Sequence, residues 1–468
     1  MATVSIWWLR RDLRLTENPA LQGALENGQI MLPVFILDPA LLRRPAPNRQ
    51  GFLMAGLRAL DADLRARGSR LILREGNPLA ELRRLLQETG AAAIYAAEDY
   101  SPYARRRDDA IAGELPLFLT IGSIVHPPSA VQKADGSPYT IFTPFSKAWK
   151  SLPLARFATE SIPQSFPTVP AFESLLIPPG EAPHGFPAGE AEARRRLAEF
   201  LAGPIFDTAQ NRNRMDLPGT SALSPYFRFG MLSPREAAQA AIAAAQQAPD
   251  EAARTGAGIW LNELIWRDFY ISILYFFPNV LKEAFKPSLR AIPWRSAPKE
   301  LHAWQTGRTG YPVVDAAMRQ LVQSGWMHNR ARMITASFLV KNLLLNWQDG
   351  ERWFMRHLID GDPAANNGGW QWTAGVGTDA APYFRIFNPV LQSVRFDPDG
   401  VYIRRWVPEL ALVPTQWIHT PWLMPAELQS EFHCRIGQDY PAPMIELSAS
   451  KERTLAAYRT SKAAADVL

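Results

Sequence analysis

Two apolar runs decide the fold class: Val4-Ser5-Ile6-Trp7-Trp8-Leu9 and Ile30-Met31-Leu32-Pro33-Val34-Phe35-Ile36-Leu37. Neither shows the polar alternation of a half-exposed strand, so both read as strands buried on two faces. Ser69–Leu73, Ala92–Ala97 and Leu117–Val125 read the same way. Between them Leu53, Leu57, Leu60 and Leu64 recur at helical spacing, and Asn77-Pro78 opens a further helix as cap and first-turn proline, with Gly90 closing it. Strand and helix in alternation build a doubly wound parallel α/β sheet, expected over residues 1–130. Such a sheet suggests a nucleotide, yet neither G-x-G-x-x-G nor G-x-x-x-x-G-K-[ST] occurs. Conventional dinucleotide and P-loop sites are therefore excluded here.

Working outward, Ser151 to Glu190 carries 8 prolines in 40 residues with little periodicity. It belongs to an expected interdomain linker over 131–195. Beyond it the strand pattern stops, and Pro234–Gln247, Ile259–Phe277, Val313–Gln323 and Met327–Leu345 have helical spacing, which predicts an all-α domain over 196–468. The chain of 468 residues has a net charge of +5, too small by itself to argue for nucleic acid. Its single cysteine, Cys434, cannot form an internal disulfide. With no leader and no apolar run of about 18 residues, a soluble cytoplasmic protein without a membrane segment is expected. The composition is unusual only in tryptophan: 12 of 15 lie between Trp260 and Trp422.

Four clusters in the helical part can carry chemistry. Gly219-Thr220-Ser221-Ala222-Leu223-Ser224-Pro225 offers hydroxyl and backbone donors that suit a phosphate at a helix start, while the segment alone reads more readily as two consecutive helix caps with Ser233-Pro234. Trp260, Glu263, Trp266 and Arg267 share one helix face, as a core stripe with a surface ion pair or as an aromatic and acidic site for a base. Gly325-Trp326-Met327-His328-Asn329-Arg330-Ala331-Arg332-Met333 packs two arginines, an amide and a thioether together, and such groups hold phosphates, carboxylates or base edges. Asp360-Gly361-Asp362-Pro363 through Asn366, Trp370 and Trp372 looks like a functional loop, poor as helix and as strand. Calcium is a competing reading for Asp360, Asp362 and Asn366, against which stand Pro363 and the missing terminal glutamate.

Taken together, these motifs resemble the photolyase and cryptochrome family, most closely the cyclobutane-pyrimidine-dimer DNA photolyases. The match runs from Trp7-Trp8-Leu9-Arg10-Arg11-Asp12-Leu13-Arg14 to Thr454-Leu455-Ala456-Ala457-Tyr458. The resemblance implies an N-terminal α/β domain able to hold an antenna pigment, of the methenyltetrahydrofolate or the 8-hydroxy-5-deazaflavin type, and a helical domain that buries FAD. By motif, Thr220, Ser221, Ala222, Leu223 and Ser224 would clamp the FAD phosphates, and Asp360, Gly361 and Asp362 would flank flavin and adenine, with Arg332 as partner of Asp360. Asn366 would face flavin N5. A flipped dimer would be held by Glu263, Asn329, Met333, Trp266 and Trp372, with Trp260 and Gln392 as further contacts. Arg212, Arg267, Arg330 and Arg385 would meet DNA phosphates. Trp370, Trp347 and Trp294 would form the family's electron chain.

Two positions depart from the pattern. The family's tyrosine 12 residues before the clamp threonine is Thr208 here, and Pro102-Tyr103-Ala104 stands where folate-antenna members carry Asn-Glu. The implied activity is light-dependent repair of pyrimidine dimers in damaged DNA by a monomer without an obligate protein partner or a metal. A cryptochrome-like photoreceptor is the alternative; against it stand the five pocket residues and the absence of a long extension after the family core. A stacking-type single-strand binder would explain aromatics and charge but neither the clamp nor the Asp-Gly-Asp segment.

Overall fold

A computed structural model describes residues 3–154 and 163–465. The chain divides into two compact units: Met1–Ala209 with Ser221–Pro278 and Ile359–Ala364, and Gln210–Thr220 with Asn279–Leu358 and Ala365–Leu468.

The first unit is built on a five-stranded parallel sheet in the order β3-β2-β1-β4-β5. Its strands are β1 (Val4–Leu9), β2 (Ile30–Leu37), β3 (Ile72–Glu75), β4 (Ala93–Ala97) and β5 (Leu117–Thr120). Ile6, Trp8, Leu32, Val34, Ile36, Ile72, Ile94 and Ala96 form the core on one side, with Leu82 and Leu85 packed against them. The Pro78–Thr89 helix begins as its sequence predicts: Asn77 Oδ1 accepts from Ala80 N, and Gly90 ends the helix at φ +65°.

Three strands differ from expectation, β4 only in starting at Ala93 instead of Ala92. β3 begins at Ile72 instead of Ser69, because its ladder with β2 opens at Ile72 opposite Val34 while Leu71 N is taken by Asp61 Oδ1 at 2.8 Å. β5 stops at Thr120 instead of Val125, and it is an edge strand with Phe118 51% exposed, so it is not buried on both faces. The amides of Val125 and His126 donate to the Asp268 carboxylate rather than to a neighbouring strand.

The expected linker holds the helix Phe142–Ser151 ahead of its Pro-rich stretch. Its later part runs along the sheet domain, with Phe166 N on Arg67 O at 2.7 Å and Leu175 N on Leu73 O at 2.9 Å. Helices Glu190–Leu201, Pro234–Gln246 and Glu251–Phe276 also belong to this unit. Gly230, at φ +63°, approaches the Arg11 carbonyl so closely that a Cβ there would lie 1.9 Å from its oxygen. No larger residue fits that contact.

The second unit is helical around one apolar core, in which Trp304, Met318, Leu321, Met327, Phe338, Leu339 and Tyr458 are fully buried. The Met327–Leu345 stretch, which reads as one helix, is broken by a π turn, Phe338–Asn342, whose Phe338 carbonyl accepts from Leu343 N at 2.9 Å. Among the described residues no helix is long and apolar enough to cross a membrane.

Candidate active site

In the first unit the 26-residue helix Glu251–Phe276 carries the aromatic and acidic cluster. Asp250 caps it through Ala253 N at 2.8 Å, and Gly256 lets it pass the Phe206 carbonyl. Trp260 is buried: its Nε1 donates to Ser221 Oγ at 3.3 Å and its ring tilts against Phe200 at 5.1 Å, which puts it with the hydroxyl cluster. Glu263 is exposed and Trp266 half-buried. Arg267 points inward, donating to the Ser123 and Phe227 carbonyls, so the structure makes it an internal cation instead of the expected phosphate contact.

The hydroxyl cluster is no simple pair of caps. Ser233 does cap the Pro234–Gln246 helix, accepting from Arg235 N and Glu236 N. Ser224 Oγ instead donates to Asp360 Oδ2 at 2.6 Å. Ala222 holds φ +49° and the next residue, Leu223, is right-handed at φ −89°, ψ −5°. A left-handed residue followed by a right-handed one turns successive N–H groups to one side, a concavity that suits phosphate oxygens. Thr208 spends its hydroxyl on Ile205 O at 2.8 Å and offers nothing outward.

The Asp360-Gly361-Asp362 segment is fixed on three sides: Ser224 on Asp360, Arg228 Nε on Gly361 O at 2.7 Å, and Arg11 Nη2 on Asp362 Oδ2 at 2.6 Å. Arg11, Asp99, Tyr100 and Ser101 follow the carboxyl ends of β1 and β4, the switch point where doubly wound sheets bind nucleotides. Here that crevice encloses only about 10 Å³, and Asp362 lines it. The Arg11–Asp362 ion pair is part of the lining of this crevice. Burial, and then repulsion from Arg11, brings the Arg228 guanidinium down to about 9. Tyr103 donates its hydroxyl to Asp38.

Asp362 has a further task that the sequence reading missed. Its Oδ1 accepts from Ala364 N at 2.9 Å, and Pro363–Ala374 is a helix, which corrects the expected loop. Two glycines and two asparagines make a weak helix alone. It forms because its amides are bound from outside: Asn367 Nδ2 reaches Val280 O at 3.0 Å, and Gln371 bonds Val280 O and Phe285 N. Asn366 Nδ2 donates to Glu351 O at 3.0 Å, which sets the plane of its amide.

Helix Asn329–Ser337 belongs to the second unit. His328 caps it, Nδ1 accepting from Arg330 N at 3.1 Å, and burial holds that imidazole down to about 4, so it is neutral. Asn329 is exposed, one turn from Met333. Arg332 Nε donates to Met327 O at 2.8 Å. An open cavity of about 310 Å³ brings together the expected Arg330, Met333, Trp372, Arg385 and Gln392. It adds Arg395, Asn213, Phe387 and Phe396, which sequence reasoning passed over, although Arg212-Asn213-Arg214 was a readable basic run. Arg330 lies 4.5 Å above the Phe396 ring and donates twice to Asn213 Oδ1. Burial and the nearby Arg212 and Arg395 bring Arg330 down to about 10, still charged at neutral pH.

Trp370 and Trp347 are buried and Trp294 half-buried. Phe354 stands edge-on to Trp370 at 4.9 Å, Trp304 edge-on at 6.1 Å, and Trp294 meets Tyr458 at 6.1 Å. Among the described residues no group of three or more His, Cys, Asp or Glu side chains could hold a metal. Asp360 and Asp362 are engaged with serine, arginine and backbone donors.

The comparisons agree with this picture. Residues 5–168 match the family model for DNA photolyase, and residues 260–460 match that for the FAD-binding domain of DNA photolyase. The chain belongs to the DNA photolyase family. It is 38% identical to the deoxyribodipyrimidine photo-lyase of Synechococcus, with 99% of this chain and 98% of that one aligned. The enzyme of the same name from Escherichia coli is 39% identical over 98% of this chain and 99% of its own. Among solved structures, a bacterial class III photolyase from Agrobacterium tumefaciens superposes with a TM-score of 0.89 at 35% identity, covering 99% of this chain and 98% of that one. A Synechocystis cryptochrome gives 0.87 at 30% identity, with 97% and 98% covered.

Proposed function

We propose that this chain is a deoxyribodipyrimidine photo-lyase that repairs pyrimidine dimers in DNA with FAD and light. The observation that carries the reading is the cavity of about 310 Å³, where Trp372 and Met333 meet Arg330, Arg385 and Arg395. Its size falls in the range of small-molecule sites, roughly 300–1,000 Å³. A flat aromatic wall with cations around it suits a base flipped out of a duplex, with its phosphates beside it.

The residues present fit FAD. The turned backbone at Ala222-Leu223, with Ser221 and Ser224, is a phosphate cradle, and we assign the clamp to Thr220–Ser224. Asp360, Asp362, Arg332 and Asn366 are assigned to the nucleotide and flavin. Bound in its reduced form, FAD supplies the light-driven electron that opens the cyclobutane ring. Trp266 and Trp372 replace the stacking that the flipped bases lose, about 1–3 kcal/mol per base. Glu263, Asn329 and Met333 orient the pyrimidines, and Glu263 holds a hydrogen bond at a pyrimidine edge as negative charge develops there. Arg212, Arg330 and Arg385 hold phosphates. Trp370, Trp347 and Trp294 form the route by which an electron reaches FAD from the surface, since indole gives one up while remaining packed.

We assign residues 1–130 to the α/β domain, 131–195 to the linker and 196–468 to the FAD- and DNA-binding domain. A cytoplasmic monomer without a protein partner is part of the same proposal. A second pigment, of the folate or the deazaflavin type, would serve as antenna. The test follows loss of thymine dimers from a defined oligonucleotide under blue light and in darkness, with reduced protein. Light-dependent loss is expected, and Glu263→Ala should lower repair per absorbed photon more than DNA affinity. Repair equal in light and darkness would overturn the reading, and equal yield per photon in Glu263→Ala would remove that residue's role.

A further inference from the structure

Trp266, assigned above to stack on a lesion, does not stand alone on its helix. Phe142 lies flat against it, ring centres 3.6 Å apart and planes 2° from parallel. At that separation any sideways offset is small, whereas free aromatic pairs favour an offset or edge-on arrangement. The face-to-face stack is therefore imposed by the surroundings of the two rings.

Those surroundings can be named. Phe142 is the first residue of the ten-residue helix Phe142–Ser151, and that helix is fastened along its length to the helix carrying Trp266. Near its far end Trp149 Nε1 donates to the buried Asp268 Oδ2 at 2.9 Å, and Lys150 Nζ donates to Asn262 Oδ1 at 2.8 Å. In its middle Phe145 meets Phe269 edge-on at 5.2 Å, and Phe142 itself meets Phe269 at 5.9 Å and 82°. Tyr270, one turn beyond Trp266, flanks the indole at 5.5 Å and 30°. Asp268 also accepts from Val125 N and His126 N, so one carboxylate ties the end of the sheet domain, the Phe142 helix and the Trp266 helix together.

We propose that Phe142 is a positioning residue for lesion recognition: stacked on one face of Trp266, it fixes the indole plane so that the other face is ready for a pyrimidine. A half-buried tryptophan without such a backing would give up rotamer freedom each time it stacked on a base, and that loss would be charged against lesion binding. Fixing the ring beforehand removes the loss, which is how a supporting residue sharpens a site it does not touch. The proposal rests on the assignment of Trp266 to the lesion.

The experiment measures binding of the FAD-loaded protein to a dimer-containing duplex and to the same duplex undamaged, for the parent, Phe142→Ala, Phe142→Leu, Phe142→Tyr, Trp266→Ala and the Phe142→Ala/Trp266→Ala double variant. Phe142→Ala and Phe142→Leu should lower the preference for the dimer about 3- to 10-fold, the size of an aromatic pair's contribution. Affinity for undamaged duplex should stay unchanged, because phosphate contacts supply it. Phe142→Tyr should keep the preference, and adding Phe142→Ala to Trp266→Ala should cost nothing more. A preference unchanged in Phe142→Leu would overturn the proposal, since apolar bulk without a flat ring would then suffice. So would an equal further loss in the double variant, which would mark a general packing defect. If Trp266→Ala itself leaves the preference intact, the lesion-facing role of Trp266 fails and this proposal falls with it.

Discussion

Gly350 offers a sharp test of how tightly Trp370 is held. A Cβ built on Gly350 would lie 2.0 Å from Trp370 Cη2 and 2.5 and 2.6 Å from Cζ3 and Cζ2, inside the outer ring of the indole. Trp370 is only 2% exposed, with Phe354 and Trp304 packed around it, so the ring has no open side to move into. Two effects oppose each other in Gly350→Ala. Alanine is favoured over glycine inside a helix by roughly 0.5–1 kcal/mol, and Gly350 sits in the Trp347–His357 helix. Overpacking a closed core costs typically about 1–3 kcal/mol, and a contact at 2.0 Å belongs at the upper end. A net destabilisation of about 2 kcal/mol is expected by guanidinium denaturation. The control is Trp370→Phe, which removes the outer atoms that the methyl would strike. In that background Gly350→Ala should cost nothing or should stabilise, a coupling of about 2 kcal/mol in a double-mutant cycle. Additive losses, or a parent-like Gly350→Ala, would refute the packing argument. If Trp370 conducts electrons, Gly350→Ala should also slow light-driven reduction of bound FAD, although the indole itself is untouched.

Other outcomes follow from charge and burial. Arg330→Ala should weaken binding to damaged and undamaged duplex by the same factor and reduce the slope of log affinity against log salt by about 0.9, read from a salt titration. Ser224→Ala removes the donor to the buried Asp360 carboxylate and should lower FAD retention after gel filtration by several-fold, at a cost of about 1–3 kcal/mol in unfolding free energy. Burial pushes the Asp268 carboxyl from 3.8 up to about 6, so the folded state takes up a proton more readily than the unfolded chain. Its contribution is fully present below about pH 3.8 and is lost as pH rises through about 6. Relative to Asp268→Asn, the parent's unfolding free energy should fall by roughly 2 kcal/mol between about pH 4 and pH 7. A pH-independent difference between the two would show that the carboxyl is not perturbed.

The strands of the sheet were legible where hydrophobic runs alone define them. β1 and β2 begin and end at the expected residues because neighbours cover both faces and nothing competes for their amides. β5 was read five residues too long, since Gly122 to Val125 look like strand until Asp268, 143 residues further on from Val125, takes the amides. The same kind of distant partner turned the Asp360–Trp372 stretch from an expected loop into a helix: Val280 and Phe285 satisfy Asn367 and Gln371, and no local rule announces that. Met333, Trp372, Arg330 and Gln392 were readable as a set through motif resemblance, and one cavity holds them all. Phe142 carried no such motif, and its importance lies in a stack with a residue 124 positions away.

The π turn at Phe338–Asn342 has a consequence for how the chain can be made. Its widened backbone leaves the carbonyls of Lys341 and Asn342 to be satisfied from the Leu447–Ala465 helix, by Thr454 Oγ1 and by Arg453 Nη2. The same late helix supplies Tyr458, whose hydroxyl reaches Ala374 O at 2.6 Å and whose ring receives the buried ammonium of Lys341 at 3.9 Å. Until those last turns have been synthesised, the helical core has an open side and a lysine without its aromatic cover. Vectorial folding from the N-terminus, the usual course during translation, must stall here. The helical unit closes only when Leu447–Ala465 has left the ribosome, so a nascent chain halted before Leu447 is a substrate for chaperones and proteases rather than a shorter working protein.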